Sequence, residues 1–438
     1  MSEAATTTME RFQDHVDLLA GFPFRSASYT THPAAVRLVR GDNIIQGRLR
    51  WDSAMRWPMD QVDGIERYRL ELGDVVVAMD RPWIEAGLKY ARIGKGDLPA
   101  LLVQRVSRLR GKGGLDQNFL YSLIGSREFT DHVLAVQTGT AVPHISSGQI
   151  LDFRFRLPLL GEQRAIAGVL SALDEKIEQN RQTAQALERL AQSIFRAWFV
   201  DFEPVKAKAA GATGFPSMPQ SVFDALPKHL VESDLGPVPV GWEAKALTSI
   251  CTLVSGGTPK RSKATYWDGD VSWYSVKDAP DHGELWVIKT SERISADGLM
   301  DSAARVVPKG STIISARGTV GKLAMAAVPM AFNQSCYGLL PGDGKSFGYL
   351  HLLMQSVVAE LKQRTHGSVF DTITRATFDG LLVTSPPAEI MSTFESVVEP
   401  LLALLLTLVD ESSKLAAMRE YLLPKLLSGD VHVEATYG

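Results

Sequence analysis

Residues Leu157–Val200 read LPLLGEQRAIAGVLSALDEKIEQNRQTAQALERLAQSIFRAWFV. Apolar or small residues recur there at alternating spacings of four and three: Ile166, Leu170, Leu173, Ile177, Asn180, Ala184, Leu187, Ala191, Ile194 and Trp198. That period marks a coiled-coil seam on one long helix. From Gly161 to Trp198 the helix would run about 55 Å at 1.5 Å per residue. Asn180 is the one strongly polar seam position, where an Asn can fix register at some cost in stability.

Working outward, a second helix of this kind is expected from Ala388 to about Leu427. Its seam is Phe394, Val397, Leu401, Leu405, Leu408, Ser412, Leu415, Arg419 and Leu422. Pro400 lacks an amide hydrogen and should kink or restart this helix near Glu399, and Pro424 should act likewise near its end. Two such helices in one chain bury their stripes best against each other, and packed antiparallel they form a rod. About 55 Å exceeds one turn of B-DNA, whose pitch is about 34 Å.

The segments before each helix are related. LLAGFPFRS near Gly21 parallels LVSGGTPKRS near Gly256. RLVRGDNIIQGRLRW (Arg37–Trp51) parallels WYSVKDAPDHGELW (Trp273–Trp286). LGDVVVAMDRP (Leu72–Pro82) parallels PKGSTIISARG (Pro308–Gly318), and TGTAVPHISSGQILDFRFRLP (Thr138–Pro158) parallels HGSVFDTITRATFDGLLVTSP (His366–Pro386). A fixed order with slowly drifting offset is a diverged duplication. Each copy has short β-type runs punctuated by Gly, Pro, Asp and Asn. Each also has one helical stretch, Asn118–Gln137 or Tyr349–Thr365. The expected fold class is α+β: two tandem α/β domains separated by two long antiparallel coiled-coil helices, a pseudo-twofold internal repeat. The boundaries are 1–158, helix 159–203, linker 204–237, second domain 238–386, helix 387–430 and tail 431–438. The linker, rich in Ala, Gly and Pro, should carry little structure of its own.

Composition is that of an ordinary soluble protein, 45% hydrophobic and 22% charged. No run of eighteen apolar residues reads as a membrane span, and the N-terminus lacks the pattern of a signal peptide. Cys251 and Cys336 are too few for a disulfide framework or a zinc site. A cytoplasmic protein with no membrane partner is expected. The net charge of −3 does not announce a nucleic-acid ligand, but residues 1–158 hold 17 Arg and 3 Lys. Arginine suits both guanine edges and phosphates.

Chemistry is harder to find. No Asn-Pro-Pro-aromatic loop is present, and SPPAE (Ser385–Glu389) is not one. GDGKS (Gly342–Ser346) lacks the first glycine of a phosphate-binding loop, Leu339 standing in its place. The nine His form no HExxH pair. Ser311, Ser315 and Ser335 have no His and Asp pattern beside them. No catalytic and no metal-binding residue is assigned.

LPLLGEQRAIAGVLSALDEKIE (Leu157–Glu178), IFRAWFVDFEP (Ile194–Pro204), VPVGWE (Val238–Glu243), SGGTPKR (Ser255–Arg261) and LLPKLLSGDV (Leu422–Val431) resemble the specificity subunits of type I restriction–modification enzymes. The resemblance covers essentially the whole chain. It implies two target-recognition domains, each reading one half of a split, asymmetric site in double-stranded DNA. It also implies helices that set the spacer and dock two modification (methyltransferase) subunits. Cofactors are then absent from this chain. S-adenosylmethionine would sit on the modification subunits, and ATP and Mg on restriction subunits where these are present. The chain departs from the family pattern at Leu159 and Gly161, at AEIMSTF in the second helix and at AGFPFR in the first copy.

Position beside Gly- or Asp-containing loops in matched blocks singles out Arg25, Arg37, Arg40 and Arg81 in the first domain. Lys260, Arg261, Lys277 and Arg317 are their counterparts in the second as DNA-binding residues. Trp198 and Phe199, at the end of the first helix, are the expected partner-binding surface. The competing readings are a DNA-binding regulatory or architectural protein that acts alone, and an enzyme with an unrecognised site. Partner dependence or turnover by the isolated chain would separate them.

Overall fold

The computed structural model describes residues 9–52, 54–139, 141–280, 284–365 and 372–433. By internal contacts the chain forms two compact units, Met1–Glu175 with Leu415–Gly438, and Lys176–Lys414. The division cuts both long helices, because each contributes one end to each unit's core.

In the first unit a five-stranded sheet has the order Val16–Ala20, Val106–Gly111, Val75–Ala78, Tyr90–Arg92, Ile44–Leu49. In the second the order is Cys251–Ser255, Cys336–Pro341, Thr312–Ser315, Leu323–Ala326, Trp286–Val287. The two orders are the same. A three-stranded sheet accompanies each, with Val36–Val39 parallel to Ala100–Leu102 in one and Trp267–Tyr274 parallel to Met330–Phe332 in the other. The central strands VVVA and TIIS are buried at every residue, which explains their unbroken apolar or small character. The close approach at the first glycine also repeats. A side chain at Gly21 would begin 2.1 Å from the Val103 carbonyl oxygen, and one at Gly256 would begin 2.0 Å from that of Asn333.

A two-stranded ribbon joins the two ends of each α/β domain. Met9–Arg11 pairs antiparallel with Arg154–Arg156, and Glu243–Ala246 pairs antiparallel with Leu382–Ser385. The helical stretch expected at 118–137 is two helices, Gln117–Ile124 and Arg127–Val136. Gly125 closes the first piece, so near the sheet that a side chain there would begin 2.5 Å from the Tyr90 hydroxyl, and Ser126 caps the second piece by accepting from Phe129 N–H. The second copy keeps one helix, Phe347–Thr365. The matched block beginning at His366 lies partly outside the described residues.

Two expectations are corrected. The linker is not structureless: it carries helices Glu203–Ala209 and Gln220–Ala225. Val205, Val222, Phe223 and Leu226 from it are buried in the core of the second unit with Trp242. Pro204 stands at the start of the first of these helices, Ala207 and Ala209 lie within it, and Pro219 precedes the second. The second long helix, Ala388–Ser428, runs unbroken through Pro400 and Pro424. A mid-helix proline costs about 3 kcal/mol. Burial of Phe394, Val398, Leu402 and Leu405 around Pro400 outweighs that cost. By length and composition this helix is apolar enough to cross a membrane, with mean hydropathy 1.6 in its most apolar window. One such helix is weak evidence of a span, and in this fold several of its leucines serve the core.

Within each unit the long helices pack antiparallel. In the second unit Phe195 and Trp198 meet Phe394, Ala184 lies in one cluster with Leu402 and Leu405, and Asn180 donates from Nδ2 to Glu411 Oε2 at 2.7 Å. In the first, Ile166, Ala167 and Leu170 share a core with Leu423, Leu426 and Leu427.

Candidate nucleic-acid interface

Each central strand runs into a hairpin whose neck is built alike. Ala78 N–H donates to the Lys89 carbonyl at 3.0 Å, and Ser315 N–H to the Lys322 carbonyl at 2.9 Å. Past the neck the backbone enters the left-handed region at matched positions, Arg81 (φ 44) and Gly318 (φ 73). Glycine takes that conformation without cost, whereas an arginine there is strained. Backbone bonds hold the strain: Arg81 N–H donates to the Pro143 carbonyl at 2.7 Å, and Lys89 N–H to the Pro82 carbonyl at 2.7 Å. Beside it Asp80 Oδ1 lies 2.6 Å from His144 Nδ1 and 3.5 Å from Arg105 Nη1. Arg105 is itself left-handed, at φ 67.

A second repeated element is the turn after the parallel strand. Arg40 N–H donates to Asn43 Oδ1 at 2.8 Å, and Ser275 N–H to Asp278 Oδ2 at 2.8 Å. In the first unit this turn reaches the hairpin, for a side chain on Gly41 would begin 3.8 Å from Lys89 Nζ. The Lys89 ammonium is held below its ordinary range by burial, with Arg81 adding to the effect. Arg40, Arg81, Lys89 and Arg105 thus gather at one edge of the first unit.

The residues singled out by sequence fall differently. Arg81 is exposed on this edge, and Arg40 is half-buried there, 3.3 Å from Asp42 and over the Tyr29 ring. Arg37 is half-buried, stacked 5.0 Å from the Trp51 ring centroid and bonded to the Gly96 carbonyl. Arg25 and Lys260 are exposed at matched positions of the glycine loop. Arg317 and Lys277 are exposed at the hairpin and the turn of the second unit. Arg261 is committed within the protein: it bonds both oxygens of Glu292 and lies 3.8 Å over the Trp267 ring. Lys89, Arg105 and Lys322 escape the sequence reading. The signal for the two lysines is their shared hairpin position in both copies, hidden by the unequal hairpin lengths.

Among the seam residues, Ile166, Leu170, Asn180, Ile194, Phe394 and Leu405 are buried, and Leu173, Ile177, Leu187, Leu401, Leu408, Leu415 and Leu422 are half-buried. Val398, Leu402 and Leu423 are buried one residue beyond Val397, Leu401 and Leu422. Placing Trp198 and Phe199 on a partner surface is corrected. They are 2% and 5% exposed, packed on Phe394, Trp242 and Tyr349, so they are core. Buried Cys251 and Cys336 have thiols pushed up to about 12 by burial. Among the described residues no group of three His, Cys, Asp or Glu could hold a metal ion.

The family model for the type I restriction modification DNA specificity domain matches residues 56–189 and 239–404. The chain is 28% identical to the HindI specificity subunit of Haemophilus influenzae over 72% of its own length and 77% of that protein's. It is 25% identical to the MjaIX specificity subunit of Methanocaldococcus jannaschii over 80% and 76%. Among solved structures, the S subunit of a type I restriction–modification system from M. genitalium shares the fold, with TM-score 0.57, 15% identity and 98% of each chain covered. With a repeated α/β unit, two long helices and this match over most of its length, the chain belongs to the type I restriction–modification DNA specificity family, whose members recognise DNA sequence.

Proposed function

We propose that this chain is the recognition component of a type I restriction–modification assembly and reads a split, asymmetric site in double-stranded DNA. Each α/β domain, 1–158 and 238–386, takes one half. One observation carries this reading: two units with the same sheet order present the same turn and the same basic hairpin neck. Diverged side chains on a repeated frame give two readers of different sequence. Arg25, Arg40, Arg81, Lys89 and Arg105 serve one, and Lys260, Lys277, Arg317 and Lys322 the other. Phosphate contacts position each domain and base contacts specify.

The two helices set the spacing between half-sites, which their unbroken course supports. They also carry two modification subunits. Those subunits bind S-adenosylmethionine and methylate adenine, and a restriction subunit, where present, uses ATP and Mg. This chain performs recognition and no chemistry, in the cytoplasm.

Long-read mapping of N6-methyladenine in the source genome, with and without the gene, tests the reading. Loss of methylation at one split motif of fixed spacer is expected on deletion. Unchanged methylation, with purified chain that binds DNA without any methyltransferase, would replace it by a regulatory or architectural role.

A further inference from the structure

The two hairpins differ beyond their shared necks. In the second unit the hairpin is short, Ala316–Gly321, and clamped. Ala316 N–H donates to the Ser335 carbonyl at 2.7 Å, and Gly321 packs against Val358. In the first unit it runs from Met79 to Leu88 and holds a small ribbon of its own, Trp83–Ile84 paired with Gly87–Leu88. Trp83 and Ile84 are 41% and 38% exposed. Consecutive strand residues normally point to opposite faces, one of them inward. Here both meet solvent, while the paired strand turns inward, with Leu88 buried in the core and Gly87 against Gln46.

The base of this ribbon is fixed, and Trp83 and Ile84 beyond it are exposed. Asp80 is held by His144 and Arg105, and Pro82 is buried. Arg81 is locked in a strained backbone conformation. An exposed indole costs solvation unless a partner covers it. Of the surrounding groups Arg40 pairs with Asp42 and Arg105 with Asp80, but the four cations Arg40, Arg81, Lys89 and Arg105 outnumber the carboxylates Asp42, Asp80 and Glu85 and name a polyanion as that partner. Aromatic and aliphatic tips flanked by cations suit the base steps of nucleic acid, where the face of a base takes the ring and phosphates take the cations.

We propose that the Trp83–Ile84 tip is a wedge that enters the DNA duplex at the first half-site and unstacks one base step, with Arg81 and Arg105 on the flanking phosphates. The second unit's hairpin offers Thr319 and Val320 in place of an aromatic and inserts no wedge. Apart from the adenines that the modification subunits take out of the stack, the site is therefore deformed on one side only. This inference rests on the DNA-recognition reading above.

The test uses the chain assembled with its modification subunits and duplexes carrying the mapped site, with 2-aminopurine placed at successive positions of each half. Apart from the target adenines that the modification subunits take out of the stack, wild type should raise 2-aminopurine emission several-fold at one step of the first half and nowhere in the second. Trp83→Ala should abolish that rise and weaken binding about tenfold, while Trp83→Phe keeps most of both. Emission and affinity unchanged in Trp83→Ala, or no rise beyond the target adenines with wild type bound, would overturn the wedge and leave the recognition reading standing. A wild-type complex that fails to distinguish the mapped site from a scrambled duplex overturns both.

Discussion

Arg419 of the second long helix places its Nε 2.6 Å from Asp174 Oδ1 of the first, as an ion pair between side chains only 13% and 22% exposed. Tyr90 from the central sheet and Tyr121 are buried beside it, their rings 5.5 Å apart. The pair ties the recognition sheet to both helices at once. Asp174→Ala should therefore strand the Arg419 charge and cost about 3 kcal/mol in urea unfolding. Replacing both residues by leucine should restore much of the loss.

The bond from Asn180 to Glu411 lies on the seam itself, with Asn180 2% exposed and Lys176 Nζ 3.6 Å from the same carboxylate. Asn180→Ala should cost about 1–2 kcal/mol. A double-mutant cycle with Glu411→Gln should return a coupling of at least about 0.5 kcal/mol. Strict additivity would mean that the asparagine merely tolerates its position.

His351 is wholly buried, with Nδ1 3.1 Å from Thr312 Oγ1 and no partner for Nε2 among the described residues. Burial pushes its imidazole from 6.5 down to about 3. The unfolded chain then binds a proton that the folded chain refuses. The histidine's contribution to stability is full above pH 6.5 and is lost as pH falls from there toward 3. The loss runs at up to about 1.4 kcal/mol per pH unit. The difference in unfolding free energy between wild type and His351→Asn should shrink over that window.

The two cation sets should act on separate halves of the DNA site. Arg81→Ala with Arg105→Ala should weaken recognition of one half, and Arg317→Ala with Lys322→Ala the other. Each cation removed from a phosphate should lower the salt dependence of binding by about one unit. Equal weakening at both halves from either pair would sink the assignment of one domain to one half.

The helices were legible because a seam declares itself by period alone, and Ile166 through Trp198 needed no tertiary information. The duplication was legible through its glycines, since Gly21 and Gly256 stand where a carbonyl leaves no room for a side chain. The role of Trp198 was not. An aromatic at a helix end reads the same whether it meets a partner or its own chain, and Phe394, which covers Trp198, is far away in sequence, as are Trp242 and Tyr349, which cover its neighbour Phe199. The linker misled because Phe223 and Val222 are single apolar residues without period, yet both are buried. At the interface, Lys89 and Lys322 share a position only after the extra ribbon of the first hairpin is set aside. Arg261 is exposed and basic, but a ring and a carboxylate claim it, which no local pattern announces.

The ribbons that close each unit, Met9 opposite Arg156 and Glu243 opposite Ser385, bring entry and exit of a whole domain to within one strand spacing, about 4.8 Å. A domain closed by such a doorway behaves as a cassette seated on the two long helices, whose side chains share its core. Its outer loops can lengthen, shorten or be exchanged so long as the two doorposts stay paired and the face that meets the helices is kept. Natural variation in target sequence has an easy route here, by recombination between the ribbons, without rebuilding the machine that uses it.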